Sequence, residues 1–192
     1  MILRLKMVEY SYFFWDKFFS KIEIENLNKL YSLHNDDSFA DSGAFTAQKK
    51  LKKVSSVKGV EWQYCKELLG SIADEIKVTN RVNHGYHLDE NFSRKKVLFN
   101  TYLQEDSYDW PQDGSNSKDF DLKFTVVINS SMEDYEGGNL QVFQQGKAET
   151  IREFNQLGSV VMFKSDIPHR VTPVTKGRRN SIVYWKEGPR FI

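Results

Sequence analysis

The chain has 192 residues, 40% apolar and 28% charged, with a net charge of +1. That size favours one domain over residues 1–192 with a substantial buried core, and the interspersed Lys, Arg, Asp and Glu exclude a basic field of the kind nucleic acid demands. Cys65 is the single cysteine, which excludes an internal disulfide and fits a reducing compartment.

The amino terminus is aromatic, but Lys6, Glu9, Asp16 and Lys17 interrupt it. It lacks the continuous apolar stretch of a signal peptide or membrane span, so a cytoplasmic protein without membrane association is expected. The cluster Tyr12, Phe13, Phe14, Trp15, Phe18 and Phe19 reads as core; left exposed, it would be a sticky patch that invites a partner. Residues 1–80 read as mainly helical. Ile24, Leu27, Leu30 and Tyr31 recur at helical spacing, as do Cys65, Leu68, Leu69, Ile72 and Ile76. Such stripes need a flat surface to pack on. Asn35 to Ala47, mostly polar and holding Gly43, reads as a loop.

Residues 81–192 read as strands. Val97 to Leu103 is rich in aromatic and β-branched residues, and Leu122 to Ile128 alternates, with Leu122, Phe124, Val126 and Ile128 on one face. Asp113 to Asp121 is polar and reads as a loop. Leu140 to Phe143, Ser159 to Phe163, His169 to Val174 and Arg179 to Trp185 follow as strands. Gly137-Gly138, Gly146, Gly158 and Gly177 stand between them as turn residues. Many short strands with regular turns predict a sandwich or barrel, with the helices covering one sheet face.

The carboxy-terminal run GSVVMFKSDIPHRVTPVTKGRRNSIVYWKEGPRF, the segment DYEGGNL (Asp134 to Leu140) and the segment FNTYLQEDSYDW (Phe99 to Trp110) carry a resemblance. Together they resemble the prolyl-4-hydroxylase-like branch of the iron(II)- and 2-oxoglutarate-dependent oxygenase superfamily, over roughly the last hundred residues. The resemblance implies an α+β, mainly β chain: a double-stranded β-helix, or jelly roll, with amino-terminal helices packed on one sheet. It also implies an enzyme, a dioxygenase using iron(II) and 2-oxoglutarate, with ascorbate as an accessory reductant. A peptidyl (prolyl) group or a small molecule is the implied substrate, and a homodimer a further expectation.

Iron(II) in such sites is held by two histidines and one carboxylate on one face. His169 follows the turn signal Asp166-Ile-Pro168 at the start of a strand, and by the resemblance it is a metal ligand. Residues two apart on a strand face the same way, so Arg179, Ser181, Val183 and Trp185 share a face. An inward arginine is an unpaired buried charge unless an anion meets it. The distal carboxylate of 2-oxoglutarate would satisfy Arg179 with a forked pair of hydrogen bonds, and Ser181 could add a third. Tyr102 reads equally as a cofactor-pocket residue and as an ordinary packed aromatic. Trp110, Tyr184 and Trp185 fit a substrate cleft and core packing alike.

The family pattern breaks at one position. Where H-x-D is expected, the chain has Pro111-Gln-Asp113. Asp113 remains, Gln112 would point away, and proline carries no side-chain donor atom, so the metal ligands read as Asp113 and His169. Three outcomes follow: iron binds with water or a displaced residue completing the face; the chain is a catalytically silent relative that binds 2-oxoglutarate or another anion; or Pro111 is an alteration whose parent carried histidine. A second H-x-D, His87-Leu-Asp89, has the right spacing but lies one strand too early. His34 and His84 have no supporting neighbours. A metal-independent cupin-like isomerase or lectin shares the sandwich architecture but not the carboxy-terminal pattern.

Overall fold

A computed structural model describes residues 12–34, 52–53, 56–89, 96–110, 112–114 and 119–190. In chain order the first half supplies strand β1 (Tyr12–Trp15), helix α1 (Lys21–His34), strands β2 (Lys52–Lys53) and β3 (Ser56–Glu61), helices α2 (Trp62–Cys65) and α3 (Gly70–Asn83), and strand β4 (Lys96–Tyr102). Strands β5 (Ser107–Tyr108), β6 (Phe120–Asn129), β7 (Glu136–Gly137), β8 (Leu140–Gln144) and β9 (Lys147–Thr150) come next. After a 3-10 turn at Arg152–Asn155, the chain ends in β10 (Val160–Lys164), β11 (His169–Val171), β12 (Val174–Lys176) and β13 (Arg179–Pro189).

A six-stranded antiparallel sheet has the order β1-β10-β6-β13-β4-β3, and a five-stranded sheet the order β2-β5-β11-β8-β9; β7 and β12 pair separately. Alternation along the strands sorts two cores. On one face of the large sheet, Phe124, Val126, Ile128, Ile182 and Tyr184 pack with Ile24 and Leu27 of α1 and Leu69, Ile72 and Ile76 around α3. On the opposite face Val127, Val161 and Phe163 meet Tyr108, Leu140, Val142 and Val171 of the small sheet. The result is a jelly roll with helices on one side, as the fold expectation has it.

Local chemistry accounts for the departures. The expected strand from His169 to Val174 is two strands, because Pro173 has no N–H to give a ladder. The helical stripe from Cys65 to Ile76 crosses a turn between α2 and α3, although Cys65, Leu69, Ile72 and Ile76 are all buried. The first third also supplies strands. The aromatic run lies on β1, with Phe13 and Trp15 packed toward the helical core and Tyr12 and Phe14 toward the inter-sheet core. Helix α1 opens on a reciprocal cap: the Ser20 hydroxyl and backbone N–H both donate to the Glu23 carboxylate (2.7 Å each), which lowers the Glu23 pKa. The expected loop at Asn35 to Ala47 lies outside the described residues, as does Pro111.

Candidate active site between the two sheets

Strand β13 lies between β4 and β6, in register with Tyr102 at Arg179, Asn129 at Ser181, Val127 at Val183 and Thr125 at Trp185. Period-two alternation aims Ile182 and Tyr184 at the helices and Arg179, Ser181, Val183 and Trp185 at the small sheet. Tyr184 is therefore core. The space between the sheets has one basic end, at Arg179, and one end that gathers Asp113 and His169.

Arg179 is 1% exposed. Its Nη1 donates to Ser181 Oγ at 3.2 Å, while Nε and Nη2 meet no acceptor within hydrogen-bond geometry among the described residues. The guanidinium lies 4.9 Å from the Tyr102 ring centroid and 5.6 Å from that of Phe154. Cation–π contact stabilises it by about 1–2 kcal/mol in such desolvated positions, which is small beside the cost of removing a charge from water. Two buried, unanswered N–H directions call for an anion, and a planar carboxylate matches the fork. Burial pushes the Tyr102 phenol up, an effect Arg179 opposes and the Asp106 and Asp113 carboxylates reinforce.

Asp113 and His169 meet at the other end. His169 starts β11, where Val142 of β8 is its register partner, and its ring packs against Phe163 and Tyr108. The Nδ1–H donates to the carbonyl of Ile167 at 3.1 Å, which turns Nε2 toward Asp113. Asp113 Oδ2 lies 3.7 Å from that Nε2. Three contacts hold Asp113: its backbone N–H donates to Ser165 O at 2.9 Å, and its Oδ2 accepts from Thr125 Oγ1 at 2.7 Å and Trp185 Nε1 at 2.8 Å. Ser165 Oγ lies 3.0 Å from Thr125 Oγ1. Because the Thr125 proton is committed to Asp113, Ser165 is the donor there.

A carboxylate and an imidazole nitrogen face each other across 3.7 Å, which are the donor types iron(II) takes from such proteins. The donor set thus fits two of the three protein ligands expected for iron(II). Among the described residues, no group of three or more His, Cys, Asp or Glu side chains could hold a metal. His87 is exposed, and Asp89 donates its backbone N–H to Glu187 O at the far end of β13. That pair therefore does not complete the site. His84 is packed among Phe13, Tyr86 and Phe124.

Asp113, His169, Arg179, Ser181 and Tyr102 thus all lie between the two sheets, Arg179 against Ser181 and Tyr102, and Asp113 against His169. Asp113 is close enough for its charge to raise the pKa of both Tyr102 and Tyr108, for which burial is the first cause. Sequence reasoning missed Thr125, Ser165 and Phe154. Thr125 carried a signal, as a polar residue flanked in sequence by the apolar Phe124 and Val126 of β6; the other two carried none. Trp110 stands apart from Asp113, edge-on to Phe143 and under Arg170.

A family profile described as the 2OG-Fe(II) oxygenase superfamily matches residues 81–187. The chain belongs to that superfamily. Among curated relatives, a PKHD-type hydroxylase of Idiomarina loihiensis is 36% identical over 92 residues, 47% of this chain and 41% of that protein. One from Parvibaculum lavamentivorans is 29% identical over 151 residues, 78% and 66% of the two chains. The chain spans about two fifths of the first of these relatives. In fold it is similar to a Pseudomonas putida prolyl-4-hydroxylase (TM-score 0.67, 15% identity, 93% of both chains). It is likewise similar to a viral collagen prolyl hydroxylase of Paramecium bursaria Chlorella virus-1 (TM-score 0.63, 16% identity, 93% and 97% of the chains). No described helix is long and apolar enough to cross a membrane.

Proposed function

We propose that the chain is a single-domain 2-oxoglutarate-dependent hydroxylase acting on a peptidyl, prolyl or small-molecule substrate. The observation that carries this is Arg179, buried between the same two sheets as Asp113 and His169, with Nε and Nη2 meeting no acceptor among the described residues. Superfamily membership supplies the keto acid that would answer it.

Arg179 and Ser181 bind and orient the distal carboxylate of 2-oxoglutarate, and Tyr102 and Phe154 keep water from the guanidinium. Asp113 and His169 would hold iron(II). Thr125 and Trp185 fix the Asp113 carboxylate, and the Ile167 carbonyl fixes the His169 tautomer. The chemistry a bound iron(II) supplies with 2-oxoglutarate and oxygen is hydroxylation of a substrate C–H bond, with succinate and carbon dioxide as co-products.

Pro111 and the two-ligand donor set favour a second reading, in which the same pocket binds 2-oxoglutarate or a related anion without turnover. Succinate release from 2-oxoglutarate, with iron(II) and oxygen present, separates the two. The hydroxylase reading expects Pro111→His to raise that release by about 10–100-fold, and Asp113→Ala to abolish it. If neither the parent chain nor Pro111→His yields succinate while calorimetry shows 2-oxoglutarate bound, the chain is an anion-binding relative.

A further inference from the structure

We propose that Gly138 is a positioning residue for Arg179: its lack of a side chain leaves the channel along which the arginine stem reaches the anion pocket. The inference rests on the reading of Arg179 as the residue that binds the distal carboxylate.

Gly138 follows β7, the short strand that pairs with β12. It has a φ of +57°, and its N–H donates to Pro173 O at 2.9 Å. A Cβ built there would lie 2.8 Å from Arg179 Cδ, 3.1 Å from Val174 Cγ2 and 3.4 Å from Tyr135 Cε2. The contact falls halfway along the arginine, not at a free tip. Beyond Cδ the guanidinium is fixed by the Tyr102 ring, the Phe154 ring and Ser181; before it the backbone is paired with β4. The stem cannot swing aside without moving the charged head. Val174 is fully buried and offers no relief. Any residue with a Cβ at 138 therefore displaces the guanidinium from the carboxylate it is aimed at.

The neighbouring Gly137 supplies the control. Its φ is +73°, and a Cβ there would meet Pro173 O at 2.3 Å and Thr175 N at 2.8 Å, with Arg179 not among its nearest atoms. Substitution at 137 strains the same turn at least as much but puts no atom directly against the arginine stem. Asparagine at 138 separates the two causes from the other direction, because it tolerates left-handed backbone better than alanine yet still carries a Cβ.

The experiment is calorimetric titration of 2-oxoglutarate into the full chain and its Gly138→Ala, Gly138→Asn and Gly137→Ala variants, with the thermal midpoint of each recorded. Weakening one charge-assisted hydrogen bond to the carboxylate costs about tenfold to a hundredfold in affinity. Both Gly138 variants are expected to lose about tenfold or more, whereas Gly137→Ala lowers the thermal midpoint and keeps its affinity within about threefold for folded protein. Wild-type affinity in either folded Gly138 variant overturns the role of Gly138 and leaves the pocket intact. An original chain that does not bind 2-oxoglutarate overturns the pocket itself.

Discussion

Arg179 is the largest of the fully buried side chains among the described residues, and it is a cation. Without an anion, a buried charge contributes nothing that an apolar side chain of similar volume would not improve on. Arg179→Met is therefore expected to leave the chain as stable or to stabilise it by about 1–4 kcal/mol, while removing detectable 2-oxoglutarate binding. Urea midpoints and calorimetry on the same preparations read both quantities. A variant that is destabilised yet binds the keto acid normally would make Arg179 a structural residue. Of these side chains, His169, Arg179 and Ser181 were legible because each sits at a fixed offset inside one recognisable carboxy-terminal run, and Asp113 because it keeps its place beside the missing histidine. Thr125, Ser165 and Phe154 reach the site through tertiary pairing, which no local pattern encodes. Trp185 was legible as inward-facing, but its indole N–H on Asp113 was not.

At the scale of elements, β13 separates two environments along one strand. Ile182 is fully buried among helix side chains, while Arg179 and Ser181 face the other way, toward the small sheet. Ile182→Ala is expected to cost about 2–5 kcal/mol of stability without altering the affinity of the surviving folded protein for 2-oxoglutarate. Matched denaturation and binding curves would show this, and a loss of affinity larger than the loss of folded fraction would argue that the two faces are coupled. The period-two pattern of β13 and β6 made both strands readable. Strand β3 was not, because Lys58 and Gly59 interrupt its middle, and it is a strand only because β4 supplies a partner. Strand β1 falls in the part that reads as mainly helical, and its aromatics read as core; its pairing with β10 divides them between the two cores.

At the scale of the molecule, several weak acids are folded away in their neutral forms. Burial pushes the Cys65 thiol from 9.0 up to about 12. It also raises the phenols of Tyr102, Tyr108 and Tyr184 above 10.0. In each case the folded chain keeps a proton that the unfolded chain releases. Their contribution is complete below pH 9.0 and declines as pH climbs from there toward about 12. Urea midpoints at about pH 8 and about pH 10.5 should fall with pH, and Cys65→Ala should flatten the early part of the decline. A midpoint constant across that range would show that these groups titrate alike in both states.

Strand β13 joins β6 to β4 in the large sheet and follows both of them in the chain. During synthesis, β6 and β4 wait with their facing edges unpaired until β13 emerges, because β13 is the strand that lies between them. Exposed strand edges in that interval are templates for pairing with another nascent chain. A stop codon ahead of Arg179 would therefore leave two half-sheets, and the shortened product should be a substrate for chaperones and proteases.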